Sequence, residues 1–387
     1  MRRTPLADAI SLSDADVESL RRQVGRTIPL KGWHEAATAD AIWHFAAAVG
    51  DDNPLWFDRE HAGKTRWGGL VAPPTYFYTC ERGLPTPLDE DLTEIRDDLL
   101  PNVPSVWIRS SWKWQRLLRV GERVRSTWEL AGIRVVTGRS RQPSVHQIEQ
   151  FTHRDAGGEI IAEEIRDILR RPAVAESITP DALAPRRLSA SETAAIAERY
   201  ALEAGRRERN QNLCWEDVDV GTSLGPITKG PLTLMNLVSW LLGWGSPMAY
   251  SNRLLWEYLQ AHPSAAVLDQ SLGVLEPREA RHLVPDLARE VGFLGGYDFG
   301  AQRITWIVHL LTDFAGANGF VSDVDVKLRR PNVVGSVALI QGHIAGKELS
   351  GDVACVNCAI TVVNESDEVL ADSTATVILP RKEARAQ

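Results

Sequence analysis

The sequence predicts an α+β protein built from two copies of one module, each opening with helices and closing with an antiparallel meander. Three observations predict it. Two amphipathic helices share one spacing of apolar residues, a second stretch recurs further along each half, and each half ends in alternating β-branched runs broken at glycine turns.

Thr38 stands as the N-cap of the first helix, with Asp40 in its first turn and Gly50 at its end. Ile42, Phe45, Ala46 and Val49 fall at i, i+3, i+4 and i+7, the apolar stripe of a helix with one face buried. Thr233 opens the counterpart, where Leu237, Trp240, Leu241 and Trp244 take the same four places and Gly245 ends the run. The offset between the copies is constant over this stretch and larger in the next, which pairs Trp56 through Ala62 with His282 through Ala288 and Pro74 with Gly300. The change of offset predicts an insertion near 246–276 in the second copy.

The meanders follow as 112–130 and 145–171 in the first half and 324–344 and 353–379 in the second, with turns at Gly121, Gly157-Gly158, Gly335 and Asn364 to Asp367. This gives a front domain over 1–175, a linker over 176–210 that begins rich in Pro, Ala and Ser and carries a helix-like run from Ala190 to Gly205, and a rear domain over 211–387.

Composition bounds the function. A chain of 387 residues with 44% hydrophobic and 24% charged content can bury a large core. A net charge of -8 with scattered Lys and Arg gives no support for nucleic-acid binding, although Lys327 to Arg330 could meet an acidic cofactor tail. The first residues lack the apolar run of a secretory signal, and the longest apolar stretch, Leu232 to Trp244, is too short to span a bilayer, so the expected location is cytoplasmic with no membrane partner. Cys80, Cys214, Cys355 and Cys358 are too few and irregular for a disulfide framework; Cys355 and Cys358 read as reduced packing residues of a strand.

The run Gly50-Asp51-Asp52-Asn53-Pro54-Leu55-Trp56-Phe57-Asp58, followed by Arg66 through Pro74, resembles the dehydratase domain of the MaoC-like and fatty-synthase-dehydratase-like group. The stretch Ala288 through Arg303, containing Tyr297-Asp298-Phe299-Gly300, is similar to the second half of its tandem members. The resemblance implies a double hot-dog fold and reversible addition of water to a 2-enoyl thioester of coenzyme A or acyl carrier protein, with no further cofactor. It implies a loop of the form Asp-x-Asn-Pro-x-His-x-Asp whose Asp and His handle water and its proton, and a Gly N–H at a helix start that polarises the thioester carbonyl.

Carried over residue by residue, the front half keeps Asp51, Asn53 and Asp58 but has Trp56 at the His position and Pro74, which has no N–H, at the Gly position. It is expected to be a structural or acyl-accommodating half, with Asp51, Asn53, Trp56 and Tyr76 as substrate-binding residues and Trp56, Pro73 and Tyr76 walling an apolar tunnel. The rear half has His282 and Gly300 in the matching places but Val284 where an acid would stand, so the expected catalytic set is His282, Asp298 and Gly300, with Tyr297 and Arg303 binding substrate. Glu276, Glu279, Asp286 and Asp269 are alternative acids; Asp298 as a plain helix cap is the competing reading.

His44 and His309 read as structural residues of their helices, the remaining histidines are scattered, and no His/Asp/Glu spacing suggests a metal site. The 13 tryptophans read mainly as sheet packing, with a ring-lined pocket for a bulky acyl group as the alternative. The incomplete dyads keep two other functions open: a non-catalytic subunit that binds an acyl thioester or another such chain, as homodimer or hetero-oligomer, and a repurposed isomerase, cyclase or thioesterase.

Overall fold

The computed structural model describes residues 12–34, 36–81, 100, 103–137, 143–171, 187–245, 250–290, 293 and 295–382. Most of the Pro/Ala/Ser-rich part of the expected linker, 172–186, lies outside them, as do 246–249 at the start of the expected insertion.

Local chemistry sets the elements. In the front half, α1 (Asp14–Gln23) and the short β1 (Thr27–Leu30) precede α2 (Ala39–Val49). The Thr38 side chain accepts the N–H of Ala41 to cap α2, and Gly50 ends it in the left-handed conformation at φ 69°. After α3 (Arg59–Gly63) and a 3-10 turn over Pro74–Cys80 come β2 (Ser105–Trp114), β3 (Arg125–Thr137), β4 (Pro143–Arg154) and β5 (Ile160–Arg170). A long helix, α4 (Ala190–Asn210), follows, capped by the reciprocal Ser189/Glu192 box.

The rear half repeats the order: β6 (Ser223–Lys229), α5 (Leu234–Trp244), then α6 (Asn252–Ala261) with the hairpin of β7 (Ala266–Asp269) and β8 (Val274–Pro277). Next come α7 (Pro285–Glu290), α8 (Gly300–Ala315), and the meander β9 (Phe320–Leu328), β10 (Ala338–Ser350), β11 (Val353–Val363) and β12 (Val369–Ile378). Thr233 and Gly245 cap α5 as Thr38 and Gly50 cap α2. The hairpin β7–β8 stands apart from the main sheet, and Val267 on it packs with Ala280 and Leu287 beside the His282 segment.

Ten strands form one antiparallel sheet in the order β1-β3-β4-β5-β2-β9-β12-β11-β10-β6. The order is a near mirror about the β2–β9 junction, where the halves pair from Arg109 opposite Lys327 to Lys113 opposite Asp323. The sheet of each half curves around a helix, which is the double hot-dog architecture. In the rear half that helix is α8, buried at every position but Gly300 and Asp313, as a helix enclosed on all sides must be. In the front half the fully buried 3-10 turn Pro74–Cys80 takes the matching place.

The tryptophans Trp112, Trp114 and Trp128 are buried on strands, with the first two stacked at 5.3 Å, and all four cysteines are unbonded. No helix among the described residues is long and apolar enough to cross a membrane.

The two halves also meet where α2 crosses α5. A Cβ built on Gly243 would stand 2.4 Å from the Cβ of Ala48, so the helices approach as closely as a bare glycine allows. Gly243→Ala gains about 1 kcal/mol of helix propensity but overpacks the crossing at a cost of roughly 1–3 kcal/mol. We expect a lower melting temperature for Gly243→Ala and recovery in Gly243→Ala/Ala48→Gly; no loss in the single variant, or no recovery in the double, would show that the crossing does not depend on this contact.

Candidate functional site

The site begins at the end of α2. Gly50 turns the chain, and the Asp51 carboxylate then accepts the N–H of Asn53 at 3.1 Å, while the Asn53 side chain accepts the N–H of Leu55 at 3.1 Å. These two side-chain-to-backbone bonds fold the loop on itself and hold Asp51 at 3% and Trp56 at 1% exposure. Asp58 closes the loop by capping α3 at the N–H of His61, 2.9 Å away. The Asn53 side-chain oxygen is thus spent on its own loop.

Facing Asp51 is a residue that the sequence reading assigned to packing. His309 comes from the third turn of α8 in the other half, and its Nε2 stands 3.5 Å from Asp51 Oδ1 and 3.5 Å from Asp313 Oδ2. The Lys229 ammonium, at the end of β6, has three N–H donors and three acceptors: Val49 O at 2.9 Å, Gly50 O at 3.2 Å and His309 Nδ1 at 2.7 Å. With Nδ1 accepting from the ammonium, the imidazole proton of neutral His309 resides on Nε2, aimed at the two carboxylates. Burial raises the Asp51 pKa, opposed by His309, and burial lowers that of Lys229, opposed by Asp51 and Glu203.

One sequence signal for this cluster was present and overlooked: Asp313 lies one helical turn, four residues, beyond His309. The ligand atoms of Asp51, His309 and Asp313 all lie within 4.8 Å of one another, a spacing that could hold a metal ion. Lys229 argues against it, because an ammonium donating to Nδ1 leaves the proton on the nitrogen a metal would need and already supplies the positive charge.

Helix α4 lies over the cluster. Arg207 pairs bidentately with Asp52, one contact being 2.9 Å, Glu203 accepts the N–H of Thr228 at 2.7 Å, and Asn210 donates to the carbonyl of Asp313 at 3.3 Å. On another side of the same stretch of α8, a gap of about 10 Å³, room for about one water, is lined by Leu55, Trp56, Pro74, Thr312 and Phe320, among others. Of the expected tunnel walls Trp56, Pro73 and Tyr76, only Trp56 lines this gap, beside Pro74, and Tyr76 is fully buried with its hydroxyl 3.0 Å from His34 Nδ1.

The rear constellation is arranged differently from the expectation. Asp298 is 2% exposed and forms a buried ion pair with Arg303, whose Nε is 2.7 Å away, and it accepts the N–H of Asn332 at 2.9 Å. Arg303 spends a further nitrogen on the carbonyls of Arg330 and Leu370 at 2.5 and 3.1 Å. Both oxygens of Asp298 and the whole Arg303 fork thus brace the start of α8 against the β9–β10 connection and β12. Neither is left for water or substrate.

His282 has no carboxylate bonded to it among the described residues; its Nδ1 faces the carbonyl of Tyr297 at 3.2 Å and its ring stacks on Phe299 at 3.8 Å between centroids. Burial pushes its pKa down to about 4, so it stays neutral at physiological pH. Tyr297 packs its ring 4.1 Å from that of His282. Gly300 does open α8, where a backbone N–H has no intrahelical partner, but a Cβ there would meet Leu328 and Trp107 at 3.1 and 3.2 Å. The ring of His282 thus stacks on the residue before Gly300, and Asp298 does not complete an acid/base pair with His282.

A second buried network occupies the front half. Arg166 lies between Glu81 and Glu164, donating to Glu164 Oε2 from Nε at 2.6 Å, and Ser110 donates to Glu164 Oε1 at 2.5 Å. One positive charge serves two carboxylates. Arg166 holds the Glu81 pKa down against its burial, whereas burial raises that of Glu164 to about 7.

The folded state therefore retains a proton on Glu164 that the unfolded chain releases near the ordinary value of 4.5, so this group's contribution to stability is present in acid and lost as pH rises through about 7. We expect Glu164→Gln to gain stability relative to the parent across that window in denaturant melts. A constant difference between the two proteins from about pH 4.5 to above about 7 would contradict the assignment.

Known proteins agree with this architecture. Residues 22–163 match the family model described as the FAS1-like dehydratase domain region. No curated protein matches the sequence at a significant level. A solved MaoC-like dehydratase superposes with a TM-score of 0.61 at 16% identity, over 93% of this chain and 99% of its own. A Mycobacterium tuberculosis protein described as having a double hot-dog fold gives 0.56 at 14% identity over 92% and 96%, and a MaoC-like dehydratase from Phytophthora capsici gives 0.53 at 11% over 95% and 99%. Residues 22–163 thus resemble a FAS1-like dehydratase region, and the described residues take the double hot-dog fold seen in these solved structures.

Proposed function

We propose that the protein adds water to, or removes it from, the double bond of a 2-enoyl or 3-hydroxyacyl thioester, with coenzyme A as the expected carrier and Asp51 and His309 as the acid/base pair. The observation that carries this reading is the buried carboxylate and imidazole 3.5 Å apart, on a loop with the family's Asp-x-Asn-Pro pattern. In hydration, Asp51 takes a proton from water as the water oxygen bonds to the β-carbon, and the Nε2–H of His309 gives a proton to the α-carbon. Lys229 restores a proton at Nδ1. Burial favours both steps: a desolvated carboxylate is a stronger base and a desolvated ammonium a stronger acid.

The rear histidine is a separate candidate. Nine residues of helix separate His309 from Gly300, about 13–14 Å at the rise of an α-helix, so one thioester carbonyl cannot use the Gly300 N–H while its carbons sit at His309. His282 and Gly300 together would form an independent station without an acid. The enclosure of the His309 imidazole favours a second reading, in which the chain binds a thioester without turning it over.

Hydration of crotonyl-coenzyme A separates the readings. Asp51→Asn and His309→Gln should each lower kcat/KM by roughly 10²–10⁴-fold, while His282→Ala leaves most of the activity. Loss on His282→Ala with both front variants active would move the chemistry to the rear half, and binding without turnover in the parent protein would favour the non-catalytic reading.

A further inference from the structure

The acid/base cluster is sealed, with Asp51, Lys229 and His309 all buried. Three of the elements around it, α2, β6 and α8, contribute Phe45, Ile227 and Leu310 to the main apolar core, so a shift in any of them disturbs close-packed side chains. Helix α4 is held differently. Of its 21 residues only Ile196 is buried, and Ile196 joins none of the apolar clusters among the described residues, while Leu202, in the middle of the helix, is 69% exposed.

What seats α4 is polar. Tyr200 donates to the carbonyl of Gly230 at 2.5 Å, Glu203 accepts the N–H of Thr228 at 2.7 Å, Arg206 donates to the carbonyl of Pro226 at 2.5 Å, and Arg207 pairs with Asp52. Steps of three and four place these residues on one helix face. Between that face, β6 and α8 there remains a gap of about 10 Å³, room for about one water, lined by Arg206, Arg207 and Asp313 among others. The last turn of α4 is seated backbone on backbone. A Cβ on Gly316 would meet the Asn210 carbonyl oxygen at 2.0 Å, and the N–H of Ala317 donates to the Gln211 carbonyl at 3.2 Å, which fixes this end of α4 to the end of α8.

We infer that α4 is a hinged cover, which pivots where Asn210 and Gln211 meet the end of α8 and lifts off β6 to admit a ligand to Asp51, His309 and Lys229. A helix seated by a few polar bonds opens at less cost than one that shares the core, because water replaces each bond as it breaks. Its return expels that water and restores the dry surroundings in which buried charges act on one another most strongly. The inference goes beyond the hydratase reading and does not need it, since it concerns how the cluster is reached, whatever is bound there.

The Thr228 amide reports the cover, because its partner is the Glu203 side chain. Hydrogen exchange on the full chain should find the amides of 200–209 and of Thr228 exchanging together, faster than those in the middle of α8. Arg207→Ala should speed that set by up to about fivefold and raise the carbethoxylation of His309 by diethyl pyrocarbonate, mapped by mass spectrometry, by the same factor, with the α8 amides unchanged. Tyr200→Phe, which removes only a hydroxyl, should act in the same direction, and Arg329→Ala, which removes the exposed pair with Asp372, should do neither.

Three results overturn the inference. Amides of α4 and Thr228 as slow as those of α8 would make α4 part of the core. Acceleration that reaches α8 in both variants would make Arg207 and Tyr200 ordinary contributors to global stability. Faster exchange with His309 labelling unchanged would show a helix that moves without uncovering the site.

Discussion

The contact on which the site depends is the Lys229 ammonium. It issues from the end of β6 in the rear half and spends its three protons on the last carbonyls of α2 in the front half and on the imidazole of α8. Carbonyls at a helix C-terminus carry the negative end of the helix dipole, so the ammonium is stabilised there as well as bonded. One side chain thereby fixes where α2 ends, which nitrogen of His309 carries the proton, and how far Asp51 stands from it. A neutral, shorter or displaced group would leave two carboxylates facing each other in a buried space, with nothing to hold the imidazole between them.

This arrangement changes how a duplicated fold divides its labour. In the front loop the position expected to hold histidine holds Trp56, and the helix start expected to hold glycine holds Pro74. The loop's surviving carboxylate is nevertheless matched to a histidine, drawn from the central helix of the other half. The rear half keeps histidine and glycine but commits its nearby acid to Arg303, where the pair clamps the start of α8. A buried pair of this kind is weak as a source of net stability and strong as a device for holding one geometry, because removing either partner strands a charge away from water. The acid expected to partner the rear histidine is structural, and the carboxylate of the front loop sits opposite a histidine from the far half.

The elements were legible where local rules act. Thr38 and Gly50, and Thr233 and Gly245, mark helix ends through bonds made within a few residues, and the caps observed are those the sequence indicates. Strand patterning was legible only in part. On β5, Ile165 is 49% exposed while Glu164 and Arg166 on either side are buried. The alternation is intact but its polarity is inverted, since these ions are satisfied by Glu81, Ser110 and one another from three separate segments. No pattern along one strand announces partners that lie on others.

By itself, the sequence determined the duplicated α+β plan, the helix caps, the glycine-marked meanders, and the loop that presents Asp51; each follows from short-range backbone chemistry or from periodicity of apolar residues. The tertiary structure decided which acid meets which base. His309 on a buried helix has the same local pattern whether it packs or reacts, and the Asp313 one turn away, though visible, gained meaning only beside Asp51 and Lys229. Those four groups come from three elements of two halves, and only the closure of one ten-stranded sheet across β2 and β9 brings them within reach of a shared proton.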